Sequence, residues 1–133
     1  MKRYEDKPEL HNLDKKYGGR GARDKPVRPK TPVENSPENW VAKIKEYALS
    51  HEGDLVGITR IDPNWVFEGY EVDLPWIVMV GVAMDHAEIT HAPELPSAVE
   101  TMAQYNLGTR VAREAANFIQ SPGYNARPHG CPT

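Results

Sequence analysis

The run WIVMVGVAM, residues 76–84, constrains this chain more than any other stretch, because every position in it is apolar. Successive side chains of a strand point to opposite faces, so an unbroken apolar run predicts a central strand covered on both sides. Nine residues are too few to span a bilayer as a helix. A second β-rich run, DLVGITRI (54–61), supplies a neighbouring buried strand. Between them DPNWVFEGYEVDLP (62–75) reads as a turn whose Trp65, Phe67 and Tyr70 anchor it to the core.

Helices flank these strands. Ser36-Pro37-Glu38 has the order of a helix N-cap, a first-turn proline and a carboxylate at the positive dipole end. Trp40, Ile44, Tyr47 and Ala48 then recur at helical spacing, predicting a helix over 37–51. DHAEITHAPELP (85–96) is expected to be a loop leading to Ser97 as the cap of a long helix over 98–120. SPGY stops that helix, and YNARPHGCPT starts another extended segment. The order helix, strand, strand, long helix places the chain in the α/β class, as an α+β sandwich. Two or three strands with two helices make a thin core, so the chain is expected to be the front part of a larger polypeptide.

Residues 1–36 differ from the rest. They carry ten Lys/Arg against six Asp/Glu, whereas residues 37–133 carry six against thirteen, a split hidden within the net charge of −3. With almost no aliphatic residues and frequent Gly and Pro, this segment is expected to be an extended or disordered arm. Its GGRGAR is able to neutralise phosphates, but a tail that wraps its own acidic domain is the stronger expectation, and nucleic acid is an unlikely partner. MKRYEDKPEL shows no secretory leader, and a single cysteine, Cys131, excludes an internal disulfide or a cysteine-rich cluster in these residues. A cytoplasmic protein that does not enter a membrane is expected.

The long helix poses the functional question. On a wheel of roughly 100° per residue, Leu107, Val111, Ala115, Phe118 and Ile119 form the core face, and Arg110, Arg113, Asn117 and Gln120 the solvent face. Tyr105 lies on the shoulder, in line with the small residues Thr101, Gly108, Ala112 and Ala116. Two accounts fit this flat strip. Either small residues let another backbone approach while Tyr105 covers the edge, or a broad planar ligand lies on the strip with Tyr105 aimed at its reacting face.

DLVGITRIDPNWVF, then WIVMVGVAMD, then the helix from Tyr105 through VAREAANFIQSPGY to NARPHGC together resemble the cobamide-binding domain of the reductive dehalogenases. Epoxyqueuosine reductases share the layout. The resemblance covers residues 37–133. It implies a nitroreductase-like domain that holds a corrinoid (cobalamin), with two 4Fe-4S clusters in a ferredoxin-like module further along. It also implies a small-molecule organohalide as substrate and an electron donor protein or fused reductase module as partner. Halide is replaced by hydrogen, and a tyrosine supplies the proton. That tyrosine matches Tyr105, 19 residues before Tyr124. A phenol of ordinary pKa, about 10, stays protonated at neutral pH and still serves a developing carbanion. Thr101, Gly108 and Ala112 would lie near the corrin, and Cys131 would line the pocket where some respiratory members place an asparagine. The basic partner of the phenol and the cluster cysteines would lie beyond Thr133. The respiratory members' twin-arginine signal is absent, which points to a non-respiratory branch. The alternative is a non-catalytic corrinoid-binding or protein-interaction module.

Other constellations are weaker. His86, Glu88 and His91 lack zinc-site spacing, Asp85 suits either a site or a turn cap, and His129 with Cys131 has neither an orienting acid nor an oxyanion donor.

Overall fold

The computed structural model describes residues 27–130. They form a small α+β unit. Helix α1 (Pro37–Ser50) leads into strand β1 (Leu55–Arg60), which is followed by a 3-10 turn (Pro63–Trp65) and strand β2 (Trp76–Gly81). A short helix α2 (His86–Ile89) and the long helix α3 (Leu95–Gln120) complete it. Helix α1 starts as the sequence predicts: Ser36 Oγ accepts from the Asn39 amide at 3.2 Å, with Pro37 in the first turn and Glu38 beside the exposed amides.

The two strands pair antiparallel, from Leu55 opposite Gly81 to Arg60 opposite Trp76. Both ends are tied. The Asp54 amide donates to Gly81 O at 2.9 Å and its carboxylate accepts from the Ala83 amide at 2.7 Å, while the Ile61 amide donates to Pro75 O at 3.0 Å. This register puts Val56, Ile58, Val78 and Val80 on one face and Leu55, Gly57, Thr59, Ile77 and Met79 on the other. Helix α1 packs on β1 and on α3, and α3 also touches α2 and β2.

Several expectations change. The 76–84 strand is shorter than its apolar run and has only β1 beside it among the described residues. Its outer face is open, with Met79 at 60% and Leu55 at 73% exposure. The 85–96 stretch is not all loop: Asp85 accepts from the amides of Ala87 and Glu88 and so caps α2. The long helix begins at Leu95 with Glu94 as its N-cap, so Ser97 lies inside it. Pro96 in the first turn explains the earlier start, since its fixed φ suits that position and its missing amide costs nothing there. Residues 124–130 return along α3 without regular secondary structure, Gln120 Nε2 donating to Ala126 O at 2.6 Å.

The core consists of small side chains. Among the described residues the buried hydrophobic ones are Ala48, Ala103, Val111, Ala115 and Ala116. Larger groups close its border: Tyr47 stacks on Phe118 at 4.2 Å between ring centroids, and Trp40 meets Tyr124 edge-on at 5.5 Å. Tyr124 also donates to Val33 O at 2.9 Å, and the Val33 amide donates to Pro122 O at 2.8 Å. Residues 27–36 therefore stay extended yet are strapped to the end of α3. Residues 1–26 of the expected arm lie outside the described residues.

The turn after α1 has little room. Glu52 has φ 70°, and a Cβ on Gly53 would lie 2.7 Å from Ala48 O and 2.9 Å from a Val80 methyl. Backbone on one side and the sheet on the other cannot both yield. Gly53→Ala should lower stability by about 1–3 kcal/mol, read as a lower urea midpoint with an unchanged slope.

Candidate functional site

Helix α3 carries the strip. Thr101, Tyr105, Gly108 and Ala112 sit at spacings of four, three and four, so they share one side of the helix over about 16 Å of rise. The helix places these four on one side. Cys131 lies outside the described residues.

Thr101 is half-buried and donates its hydroxyl to Ser97 O at 2.9 Å, turning its proton back into the helix. Thr109 does the same toward Tyr105 O at 3.0 Å. Ala112 is half-buried and Ala116 buried. Tyr105 is 52% exposed, and it is the one exposed residue of α3 from Val99 to Gln120. Every other side chain over six turns is at least partly covered, and the one that stands clear is a phenol.

Gly108 bears directly on the two accounts of the strip. A Cβ built there would meet one group, a Val82 methyl at 3.6 Å, which is ordinary contact. Among the described residues no backbone from elsewhere lies within 4 Å of that position. Close approach of a neighbouring main chain therefore does not explain this glycine. Val82 continues the inner-face alternation of β2, so it bounds the strip on the sheet side. On the opposite flank the returning tail is tight: a Cβ on Gly130 would lie 2.6 Å from Thr109 Oγ1 and 2.9 Å from Thr109 Cα.

Glu100 is a positioning residue that the sequence did not single out. Its carboxylate accepts from the Asp85 amide at 2.6 Å and from Gln104 Nε2 at 2.9 Å, joining the exit of β2 to the first turns of α3. Gln104 Oε1 is buried without a hydrogen-bond partner among the described residues, one position before Tyr105. An i,i+4 Glu-Gln pair was the available signal, but its meeting with Asp85 is a tertiary event. Further along, Arg110 forms an ion pair with Glu52, its side chain 17% exposed. The wheel placed Arg110 and Gln120 in solvent. Instead Arg110 is drawn to the α1 turn, and Gln120 is buried at 8% because the returning tail covers it.

The remaining candidates stay apart. Among the described residues no group of three His, Cys, Asp or Glu side chains could hold a metal ion. His91 is 4.0 Å from Glu94 within its own turn, and His129 is exposed. The three aromatic residues expected to anchor the 62–75 turn do not: Trp65, Phe67 and Tyr70 are 59%, 83% and 71% exposed. Val66 and Leu74 in the same connection are half-buried. Among the described residues no helix is long and apolar enough to cross a membrane.

The chain matches no family model, no curated protein and no solved structure.

Two glycines on opposite flanks of α3 give opposite expectations. Gly108→Ala should raise stability by about 0.5–1 kcal/mol, because the helix gains propensity and the methyl meets only Val82. Gly130→Ala should lower stability or release the tail, because the Thr109 backbone blocks its Cβ. Paired urea titrations check both signs.

Proposed function

We propose that this chain is the corrinoid-binding part of a reductase of reductive dehalogenase type, with Tyr105 as the proton donor. One observation supports the proposal: a phenol 52% exposed on α3, beside a glycine whose Cβ position meets only a Val82 methyl among the described residues. A planar macrocycle would have to reach this side of the helix past Val82, because Thr101, Gly108 and Ala112 are half-buried and Ala116 is buried. Without a Cβ at Gly108, and with only a methyl at Ala112, the edge of a flat ring can lie against the helix. The Thr101 hydroxyl is engaged with Ser97 O and so makes no claim on a ligand.

When bound, a reduced corrinoid supplies the two electrons and the cobalt that engages the carbon–halogen bond. The protein residues do the rest. The strip orients the substrate-facing side of the ring, and Tyr105 holds a proton at Oη. As the carbon–halogen bond breaks and halide departs, the carbon takes that proton, leaving a phenolate that solvent reprotonates. In sum an organohalide, two electrons and one proton give the reduced carbon and halide. A donor protein or fused module supplies the electrons. The two 4Fe-4S clusters that accompany this chemistry do not fit these residues, since the sequence has one cysteine.

A second reading, a non-catalytic module for corrinoid or protein binding, is favoured by the exposed Trp65, Phe67 and Tyr70. The test separates the two. Cobalamin is added to the protein under reducing conditions and retention is followed by its absorbance after gel filtration. Gly108→Val should weaken retention at least about tenfold, a change of about 1.4 kcal/mol, without unfolding the helix. With a chemical reductant and an aryl halide, Tyr105→Phe should keep the corrinoid but slow halide release by about 10²–10⁴-fold. Retention with no effect of Tyr105→Phe would leave a binding module. No retention at all would overturn the corrinoid reading.

A further inference from the structure

The 62–75 connection holds the largest share of exposed aromatic surface on the described residues, and the corrinoid reading makes no use of it. Its base is closed by the Ile61–Pro75 hydrogen bond, and a turn from Phe67 to Tyr70, with Gly69 at φ 86°, shapes its tip. Trp65, Phe67 and Tyr70 stand out of it, with Val72 at 44% exposure and Trp76 at 55% just beyond. At about 150–250 Å² per aromatic side chain, these exposures leave about 500 Å² of aromatic surface in water. That is more than half of the roughly 800 Å² that one partner contributes to a stable interface.

Its charge has one sign. Asp62, Glu68, Glu71 and Asp73 lie within it and no Lys or Arg does. Aromatic centres ringed by carboxylates select a basic partner, since guanidinium and ammonium groups both pair with carboxylates and lie over aromatic faces. The edge of the connection already shows the pattern: the Arg60 guanidinium lies 4.9 Å from the centre of the Trp76 ring.

We propose that this connection is the docking surface for the chain's own basic segment, residues 1–26, in an intramolecular and salt-sensitive contact. That segment has eight Lys/Arg against five Asp/Glu, and Tyr4, Leu10, Leu13 and Tyr17 for the apolar part of the contact. Reach does not limit it: 26 residues span up to about 90 Å when extended, against a radius of gyration of about 13 Å for a domain of 100 residues. Covalent attachment also favours the chain's own segment over a free partner, because a tethered group acts at a local concentration of about the millimolar range. The inference does not rest on the corrinoid reading.

Zero-length carbodiimide coupling on the full chain at low salt tests it. Peptide mapping should find amide cross-links from Lys7, Lys15, Lys16 or Lys25 to Glu68, Glu71 or Asp73. They should occur in the monomer band and disappear near 1 M salt, where screening acts over about 3 Å. In a second measurement, Glu68→Gln/Glu71→Gln/Asp73→Asn should speed trypsin cleavage at Lys15 and Lys16 about fivefold at low salt, since cleavage follows the undocked population. All three positions are exposed, so the fold should be untouched. Cross-links spread equally over Glu46, Glu94 and Glu114 would overturn the proposal. So would cross-links confined to a dimer band, which would put the segment on a second copy, and so would cleavage rates equal in the two proteins.

Discussion

The close approach of α3 to the valine face of the sheet is the constraint on which the rest of this structure depends. Ala103, Val111, Ala115 and Ala116 give the helix a low surface, so it can lie near β2 and α1 together. Glu100 fixes its first turns to the exit of β2, and Arg110 fixes its middle to the turn after α1. The returning tail and the strapped segment 27–36 then close its far end. Once α3 is held on so many sides, very little of it is left facing solvent. The position of Tyr105 outside is a consequence of this packing.

Local signals were legible in the sequence, and tertiary ones were not. The Ser36 cap, both strands and the small-residue line through Thr101, Gly108 and Ala112 follow from spacing alone, and each is present. Asp85 was ambiguous between a site and a cap, and its two amide contacts make it a cap. Hydropathy failed where a long-range partner decided the outcome. Gln120 looks like a surface residue until Ala126 returns to accept its amide proton. Trp65, Phe67 and Tyr70 look like core residues, but they are exposed, and Val66 and Leu74 of the same connection are half-buried instead. The double-faced apolar run at 76–84 predicted cover on both sides, and the described residues cover one.

The fold places two different kinds of surface on one small unit. The α3 strip is uncharged and bounded by Val82, and its polar groups are the Thr101 hydroxyl, turned to Ser97 O, and the exposed phenol of Tyr105. The 62–75 connection is strongly acidic and bears large aromatic groups. An acidic aromatic surface suits a basic chain, whose attraction depends on salt. The chemistries of strip and connection differ enough that neither surface can stand in for the other.

The placement of large and small side chains has an energetic consequence. Alanines and one valine fill the core, while the large aromatic groups of the 62–75 connection lie outside. Covering about 500 Å² of that aromatic surface is worth about 12 kcal/mol gross at 25 cal/mol per Å². Fixing backbone costs about 1–2 kcal/mol per residue, so an intramolecular contact of this size can order about six to twelve residues before the gain is consumed. A segment covering this surface would therefore have to be short, one lysine- or arginine-bearing stretch around an apolar residue. Because gain and cost nearly balance, ion pairs to Glu68, Glu71 and Asp73 would decide whether such a contact held, although exposed pairs are individually worth about 1 kcal/mol or less. A contact balanced in this way opens readily when salt or a more strongly basic partner competes for the same carboxylates.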